Sequence, residues 1–500
     1  MNIKEMLEKT AREVPQKTAI VLGSQRVSYH ELDERSNRIA NVLISLGMKR
    51  GDHVAILMSY TPEWIINYFG VVKAGGKTVI LNAMLKAPEF DALLRDSDSK
   101  ILITEKSFTE MLSSVLPNIP LLKHVMEVDS DSYKEMMAGS STMSPVVGIK
   151  DDDEITIIYT SGVLGKQKGV VHTHSSLMAA ATMVAPGLEQ ERDDISVGMI
   201  PFFYALGLLV VALISFMKGS TVVIVSRFTP RNVLEIVERE KATMLIGVPA
   251  MFNALAMLDD ETLKSYDLSS LRVVLSAGAK ASAHLMKALE EKFGLTFCEV
   301  YGTTEALATT LGGIHNRKLG TAGKPIEEIK IVDDNDNEVP QGEVGEIIAR
   351  SPQIMKGYYK MPDLTAQVFR NGWFHSGDLV RMDEDGYIDY IEKKSFIIVT
   401  SAGVKIPPTE VEDVLLKHPS VAEAAYVGVM DELKGQIPTA FIVLKEGQVA
   451  TAKEIRNFCR QNLANYKLPH KIEFVESIPK TGSGKIDRRQ LKERRTAEGV

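Results

Sequence analysis

A chain of 500 residues is too long for one hydrophobic core and predicts at least two domains. Hydrophobic residues make up 45% and charged residues 25%, which are ordinary globular values and argue against disorder. A formal net charge of −7 argues against nucleic-acid binding, which needs a basic face.

The first half of the chain alternates between predicted helices and strands. Residues 1–13 read as an amphipathic helix, and its mixed charge lacks the basic-then-apolar order of a signal peptide. Strands follow at 19–21, 27–29, 54–58, 77–81, 220–225, 244–248 and 297–300, and helices at 31–46, 62–73, 230–240 and 285–293. No repeat of 20–50 residues is visible. Strands separated by helices predict an α/β fold of stacked layers with largely parallel sheets.

The longest apolar run covers residues 205–217. It is shorter than the roughly 20 residues of a membrane span, so we predict a buried helix and no stable membrane insertion. Two distant cysteines, Cys298 and Cys459, predict neither a disulfide framework nor a zinc site. The default location is the cytoplasm.

The pattern changes after Pro325, where short strands are predicted at 330–332, 345–350 and 386–391. We predict an N-terminal domain over residues 1–391 that ends in this small β subdomain. A smaller α+β domain over 392–500 follows, with helices at 408–418 and 452–463 and strands at 424–429 and 439–444. Apart from Lys485, we interpret the basic residues near its end as a solvated tail: Arg488, Arg489, Lys492, Arg494 and Arg495.

Residues 155–170 read as a buried strand that feeds a loop rich in glycine, hydroxyls and lysine. Glycines let backbone N–H groups approach phosphate oxygens, and hydroxyl and ammonium groups add donors. The loop is not a Walker A motif, and taken alone a plain surface turn is an equally good interpretation. The candidate phosphate ligands are Thr160, Ser161, Gly162, Val163, Leu164, Gly165 and Lys168.

Three further segments carry groups suited to a nucleotide. Residues 301–305 follow a predicted strand and offer an aromatic ring, hydroxyls and the Glu305 carboxylate, which suit adenine, phosphate and Mg²⁺. Residues 372–378 end in Asp378, which suits a ribose diol. Glycines flank Lys485 in residues 479–489, so this lysine can reach another domain's site as a point charge. For each segment alone, an ordinary loop is at least as good an interpretation.

The four segments, in this order and spacing, resemble the adenylate-forming superfamily of acyl-CoA synthetases, luciferases and peptide-synthetase adenylation domains. The resemblance covers nearly the whole chain, with further matches at 201–207, 276–279, 345–347, 355–358 and 408–412. It implies an ATP-dependent acid–thiol ligase, which activates a carboxylic acid as acyl-AMP, releases pyrophosphate and transfers the acyl group to coenzyme A.

The resemblance also implies a role for each candidate. Residues 160–165 and Lys168 cradle the ATP phosphates, and Asp378 binds the ribose. The implied adenine ligands are Ala277, Gly278, Ala279, Tyr301 and Gly302. Thr304 contacts the α-phosphate, Glu305 binds Mg²⁺, and Lys485 bridges the carboxylate and the α-phosphate. A cation between those two anions lowers the barrier to their reaction.

By the same resemblance, the acyl pocket includes Tyr204, Gly278, Tyr301 and Ala306. No obvious aspartate there pairs an ammonium, so a fatty or aromatic acid is favoured over an amino acid. The acceptor is coenzyme A, or alternatively the phosphopantetheine of a carrier protein.

Several positions depart from the family pattern. Val163 and Leu164 replace two threonines of the phosphate loop, and Gln167 replaces a proline. Glu392 stands at the position of a ribose-binding arginine, with opposite charge and no donors. These departures support a second hypothesis, a catalytically weak paralogue that binds acyl or nucleotide ligands.

The remaining unusual positions have milder interpretations. Ser395 stands where the family has a hinge aspartate, and Tyr204 replaces a histidine beside the acyl pocket. His172 and His174 face the same side of a predicted strand, which makes metal ligation conceivable. With no cysteine or carboxylate partner nearby, we treat both histidines as structural or surface residues.

Overall fold

The computed structural model describes residues 1–160, 167–399, 405–431, 435–481 and 485–496. Up to residue 160 the elements are α1 Ile3–Glu13, β1 Thr18–Leu22, β2 Gln25–Ser28, α2 Tyr29–Ser45, β3 His53–Leu57, α3 Pro62–Lys73, β4 Lys77–Ile80, α4 Ala87–Asp96, β5 Ile101–Thr104, α5 Lys106–Met111, β6 His124–Glu127, α6 Asp131–Gly139 and β7 Glu154–Thr160. The helix starts follow local sequence. Asn2 and Glu5 form a capping box before α1, and Ser28 and Glu31 form one before α2.

The middle of the chain continues the alternation. Its elements are β8 Lys168–Thr173, α7 His174–Val184, β9 Ile195–Gly198, α8 Ile214–Lys218, β10 Thr221–Ile224, α9 Pro230–Glu240, β11 Met244–Gly247, α10 Pro249–Ala256, α11 Asp260–Lys264, β12 Val273–Ala277, α12 Ala283–Phe293, β13 Thr296–Tyr301, β14 Thr310–Gly312 and β15 Lys324–Pro325. The apolar run predicted as a buried helix is buried over residues 207–216, where a π-helical segment, Gly207–Leu213, leads into α8. Within the described ranges, no helix is long and apolar enough to cross a membrane.

The last part of the chain has shorter strands. Its elements are β16 Glu328–Val332, β17 Val344–Arg350, β18 Gly357–Tyr358, α13 Pro362–Val368, β19 Phe369–Arg370, β20 Trp373–Met382, β21 Ile388–Lys393, β22 Ile398–Val399, β23 Lys405–Ile406, α14 Pro408–Leu415, β24 Val421–Asp431, β25 Gly435–Leu444, α15 Ala452–Asn462, β26 Lys471–Phe474 and α16 Arg488–Thr496. A 3₁₀ turn, Lys394–Phe396, follows β21.

Two sheets dominate the fold. A nine-stranded sheet has the order β15-β14-β13-β12-β11-β9-β10-β1-β2, and a seven-stranded sheet has the order β18-β8-β7-β4-β3-β5-β6. Their central strands are parallel, and β3, β4, β5 and β11 are buried along their whole length. Continuous burial explains why these strands are mostly apolar and do not alternate between apolar and polar residues, since helices cover both faces of such sheets. The predicted α/β fold with largely parallel sheets is confirmed.

The chain divides by its internal packing into two compact units. The first unit comprises Met1–Ile329, Ile348–Ser376 and Gly386–Ile388. The second unit comprises Lys330–Ile347, Gly377–Asp385 and Asp389–Val500. The functional domain boundary between residues 391 and 392 stays a prediction.

The second unit corrects one interpretation made from the sequence. Arg488 is not part of a solvated tail: it is only 7% exposed and opens α16. Its guanidinium makes two hydrogen bonds to Glu412, with Nη1–Oε1 at 2.5 Å and Nη2–Oε2 at 2.9 Å. A third carboxylate oxygen, Glu392 Oε2, lies 3.3 Å from Nη2. A buried arginine needs such partners, and the sequence places them 76 and 96 residues upstream.

Candidate active site

The flanks of the predicted phosphate loop lie side by side in the first unit. Thr160 ends β7, Lys168 begins β8, and the two residues are antiparallel partners. Residues 161–166 lie outside the described residues, and five candidate phosphate ligands lie there: Ser161, Gly162, Val163, Leu164 and Gly165. The ends of the loop are therefore fixed by the sheet.

Strand β18 adds an aromatic side chain to this edge. It pairs antiparallel with β8, with Tyr358 opposite Val170. Lys168 Nζ lies 4.8 Å from the centroid of the Tyr358 ring, a cation–π contact. The Tyr358 hydroxyl donates a hydrogen bond to Glu305 Oε1 at 2.8 Å. Burial, and then the charge of Glu305, raise the pKa of Tyr358 far above its usual value, so the phenol keeps its proton and remains a donor.

The segment from Tyr301 to Ala306 is a tight turn at the end of β13. Thr309 N donates to Tyr301 O at 2.8 Å, which folds the chain back on itself. A Cβ atom on Gly302 would lie 1.9 Å from Leu307 O, so only glycine fits. The turn is held from outside as well, because Met355 N donates to Glu305 O at 2.7 Å.

A buried histidine fixes another backbone carbonyl of this turn, that of Thr304. His172 Nε2 lies 2.8 Å from Thr304 O, and Nδ1 lies 3.1 Å from Ser176 Oγ. A carbonyl only accepts, so Nε2 carries the hydrogen and Nδ1 accepts from Ser176. Burial lowers the pKa of His172 to about 4, so the ring is neutral near pH 7. His172 therefore has a structural role at the candidate site, and His174 is likewise buried, with Nδ1 accepting from Ile3 N.

The predicted adenine segment lies against the same strand. Ala277 ends β12 and is the parallel partner of Val300 in β13. Gly278 follows with φ +84°, a left-handed conformation that glycine adopts without strain. The sheet thus brings residues 277–279 next to Tyr301.

Glu299 in β13 is a residue that the sequence analysis missed. It is 4% exposed, Oε1 accepts from Ala281 N at 3.2 Å, and Oε2 has no hydrogen-bond partner among the described residues. Burial raises its pKa to about 8. The signal in the sequence was a single carboxylate between the apolar residues Cys298 and Val300, two residues before Tyr301.

We expect the protonated Glu299 to make stability depend on pH. In the unfolded chain Glu299 has its ordinary pKa of 4.5 and releases its proton above that pH, whereas in the folded protein it keeps the proton until about pH 8. The free energy of unfolding therefore falls as pH rises through this window, by at most about 1.4 kcal/mol per pH unit. Glu299→Gln does not titrate, so its stability relative to wild type should rise from pH 5 to pH 8 in urea unfolding.

The matched control for this experiment is Glu291→Gln. Glu291 forms a surface pair with Lys287, with both side chains more than 60% exposed. Its stability difference from wild type should stay flat over the same pH range. A flat difference for Glu299→Gln as well would show that Glu299 is ionised in the folded protein at pH 5.

Two predicted acyl-pocket residues have different surroundings. Ala306 is 1% exposed and belongs to an apolar cluster with Met355 and Tyr358. Tyr204 is half-buried, and its hydroxyl lies 3.5 Å from Asn82 Nδ2 and 3.7 Å from Met84 Sδ. These neighbours are uncharged, and the substrate-binding role of both residues stays a prediction.

The remaining predicted ligands belong to the second unit. Asp378 lies in β20, is 4% exposed, and pairs with Lys393, whose Nζ lies 3.2 Å from Oδ1. Lys485 is exposed, and its carbonyl accepts from Thr481 N at 2.7 Å. Ser395, at the predicted hinge, is exposed in the 3₁₀ turn. Their functional roles stay predictions.

Comparison with known proteins establishes the family. The profile of the AMP-binding enzyme family matches residues 7–359, and that of the AMP-binding enzyme C-terminal domain matches residues 410–485. The chain belongs to the AMP-binding enzyme family. The superfamily and the enzyme class predicted from the sequence, an AMP-forming acid–thiol ligase of the acyl-CoA synthetase type, are confirmed.

Three relatives illustrate the breadth of this match within the AMP-binding enzymes. Feruloyl-CoA synthase of Amycolatopsis sp. is 35% identical over 489 residues, which cover 97% of each chain. Long-chain-fatty-acid–CoA ligase of Bacillus subtilis (strain 168) is 31% identical and covers 99% of this chain and 94% of its own. The crystal structure of the anthranilate CoA ligase AuaEII with anthranoyl-AMP superposes with a TM-score of 0.92 and 29% identity, over 100% of this chain and 98% of that one.

The residues of this AMP-binding enzyme fit a nucleotide-bound Mg²⁺. Among the described residues, no three His, Cys, Asp or Glu side chains cluster as a metal site. Mg²⁺ in phosphoryl-transfer enzymes takes only one or two protein carboxylates, and substrate phosphates and water complete its shell. Glu305 fits that part, because Tyr358 engages one carboxylate oxygen and an ionised carboxylate accepts several bonds.

Proposed function

We propose that this enzyme activates an aromatic or fatty acid as its acyl-adenylate and then transfers the acyl group to coenzyme A. The observation that carries the proposal is the Thr304–Glu305 turn, fixed by His172 and linked to Lys168 through Tyr358. Such a rigid set of donors and one carboxylate suits a transition state that needs positioning and charge stabilisation.

Within this proposal each predicted residue has one task. Thr160 and Lys168 hold ATP phosphates, and Thr304 donates to the α-phosphate. Asp378 accepts hydrogen bonds from the ribose, and residues 277–279 with Tyr301 hold adenine. Glu305 would hold Mg²⁺, and the ion would supply positive charge to the phosphate oxygens.

The chemistry proceeds in two displacements. A carboxylate oxygen of the acid attacks the α-phosphorus of ATP, the bond to the β-phosphate oxygen breaks, and pyrophosphate leaves. Lys485 lies between the two anions and offsets their repulsion. The thiolate of coenzyme A then attacks the acyl carbon, the acyl–phosphate bond breaks, and AMP leaves. We propose that the domain of residues 392–500 reorients between the two steps.

An acid without an ammonium group is the substrate class that the candidate pocket favours. Tyr204 lies near Asn82 and Met84, and Ala306 lies among apolar side chains. An ammonium group left there without a partner costs several kcal/mol. Aromatic and fatty acids are also the acids that the named relatives act on. A carrier protein is the alternative acceptor.

We expect pyrophosphate release only when acid, ATP and Mg²⁺ are all present. The test is a pyrophosphate-release assay over a panel of hydroxycinnamic, benzoic and fatty acids, with thioester detection after coenzyme A is added. Omission of each component in turn is the control. If ATP binds and no acid in the panel gives turnover, the chain is the weak binding paralogue.

A further inference from the structure

The turn that carries Thr304 and Glu305 contains a residue in a strained conformation. Leu307 has φ +53°, in the left-handed region that residues other than glycine adopt only at a cost in free energy. Its carbonyl oxygen also lies so close to Gly302 that a Cβ atom there would be 1.9 Å away. Strained conformations of this kind persist where surrounding contacts fix them, so the Leu307 conformation needs support from outside the turn.

Gln353 supplies that support through the next residue. Its side chain is fully buried, and it pairs with both backbone polar groups of Ala308. Ala308 N donates to Gln353 Oε1 at 3.3 Å, and Gln353 Nε2 donates to Ala308 O. One carboxamide therefore fixes the peptide groups on both sides of Ala308, and the first of them follows Leu307 directly.

A carboxyl group fixes the direction in which this carboxamide points. Gln353 Nε2 has two hydrogens: one goes to Ala308 O, and the other goes to Glu327 Oε2 at 2.6 Å. If the carboxamide were turned over, its NH₂ group would face the N–H of Ala308 and its oxygen would face the carbonyl oxygen. The observed orientation pairs a donor with an acceptor at each contact, so Gln353 is held firmly against Ala308.

The segment that carries Gln353 also holds the other end of the turn. Met355 N, two residues further on, donates to Glu305 O at 2.7 Å. This segment thus fixes the turn at Glu305 and at Ala308, on either side of Leu307. If Leu307 relaxed, the backbone at Glu305 would move, and the Glu305 carboxylate would point elsewhere.

We propose that Gln353 is a positioning residue for adenylate formation. It holds Leu307 in its left-handed conformation and so keeps Thr304 and Glu305 directed at the nucleotide. The inference rests on the proposed function, in which those two side chains act on the α-phosphate and on Mg²⁺. Gln353 acts through the backbone of the turn. A misplacement of about 1 Å can cost roughly 100-fold in rate, so this support bears directly on kcat.

Gln353→Met keeps an unbranched side chain of similar length and removes the three hydrogen bonds. We expect it to lower the kcat of acid-dependent pyrophosphate exchange by about 10- to 100-fold, as for displaced reacting groups. The KM for ATP should change less than about threefold, because residues outside the turn hold adenine and ribose. The backbone amides of residues 303–309 should exchange hydrogen for deuterium about tenfold faster than in wild type, since the turn opens more readily.

Gln190→Met is the matched control, because Gln190 is another fully buried glutamine of the first unit. Its Nε2 lies 3.0–3.2 Å from three hydroxyl oxygens outside the turn, those of Ser196, Ser215 and Ser220. Loss of a buried carboxamide should destabilise both variants in urea. Gln190→Met should nevertheless keep kcat within about twofold of wild type and leave hydrogen exchange of residues 303–309 unchanged.

The possible outcomes separate this inference from the proposed function. If wild type exchanges pyrophosphate with no acid, the proposed function fails, and hydrogen exchange alone decides whether Gln353 holds the turn. If wild type is active and Gln353→Met loses no more kcat than Gln190→Met, only the inference is overturned. Unchanged hydrogen exchange of residues 303–309 also overturns it. Should Gln353→Met fail to fold, Gln353→Asn, whose carboxamide is one methylene shorter and cannot pair with both groups of Ala308, is judged by the same two measurements.

Discussion

Lys485→Ala is expected to reduce acid-dependent pyrophosphate exchange by about 100- to 1000-fold, the loss seen when one preorganised donor to a transition state is removed. Two anions, the substrate carboxylate and the α-phosphate, must approach each other in this step. An ammonium between them stabilises the transition state, in which the two anions meet, more than the bound substrates. Its loss should therefore lower mainly kcat.

The protein should remain folded, because Lys485 is exposed and supports no core. The matched control is Lys480→Ala. Lys480 lies in the same segment, pairs with Glu423 at 2.7 Å, and is 46% exposed, so its removal should change exchange by less than twofold. Wild-type exchange in Lys485→Ala would remove the central residue from the proposed mechanism.

Arg488→Met is expected to lower the free energy of unfolding of the second unit by about 3–5 kcal/mol at pH 7. The guanidinium is the buried cation between Glu412 and Glu392, whose side chains are 8% and 3% exposed. Its removal leaves two carboxylates in the interior without their positive partner. Urea unfolding of the full chain measures the loss, and Arg489→Met, at an exposed neighbouring position, should stay within about 0.5 kcal/mol of wild type.

The pH dependence of this loss identifies its cause. Burial already raises the pKa of Glu392, and removal of Arg488 should raise it further. The folded variant then binds protons that folded wild type does not, so its deficit should shrink as pH falls from 7 towards 5. Adding Glu412→Gln to Arg488→Met should recover part of the loss at pH 7. A deficit that is independent of pH would point to lost packing.

The sequence predicted those helices whose first residue is marked by a nearby residue such as proline. The helices predicted at 62–73 and 230–240 are α3 and α9, and each begins at a proline that cannot continue a preceding helix turn. The sequence analysis did not identify β5, β9 and β12 as strands, because each has only four or five residues, and so short a segment fits a buried strand and a piece of helix equally well.

The motifs of the candidate site were predictable from the sequence, but the long-range contacts that hold them in place were not. Spacing and residue type pointed to Thr304 and Glu305, because the motif lies within five consecutive residues. The contact of His172 with Thr304 joins residues 132 apart, and Arg488 meets Glu412 across 76 residues. Such contacts depend on the sheet and on helix packing, so the sequence analysis left His172 as a structural or surface residue without a partner and placed Arg488 in solvent.

During synthesis of this protein, strand β8 is made long before β18, the strand that pairs with its outer side. The ribosome adds Tyr358 to the chain well after its partner Val170. At roughly 5–20 residues per second, the interval between them is on the order of 10–40 s. During that time β8 is the outer strand of its sheet, and its backbone groups on that side have no strand beside them. Unpaired sheet edges attract other strands, so the outer edge of β8 is exposed to misassociation in this interval. Slow translation between residues 170 and 358 should therefore lower the yield of native enzyme more than slow translation after residue 358.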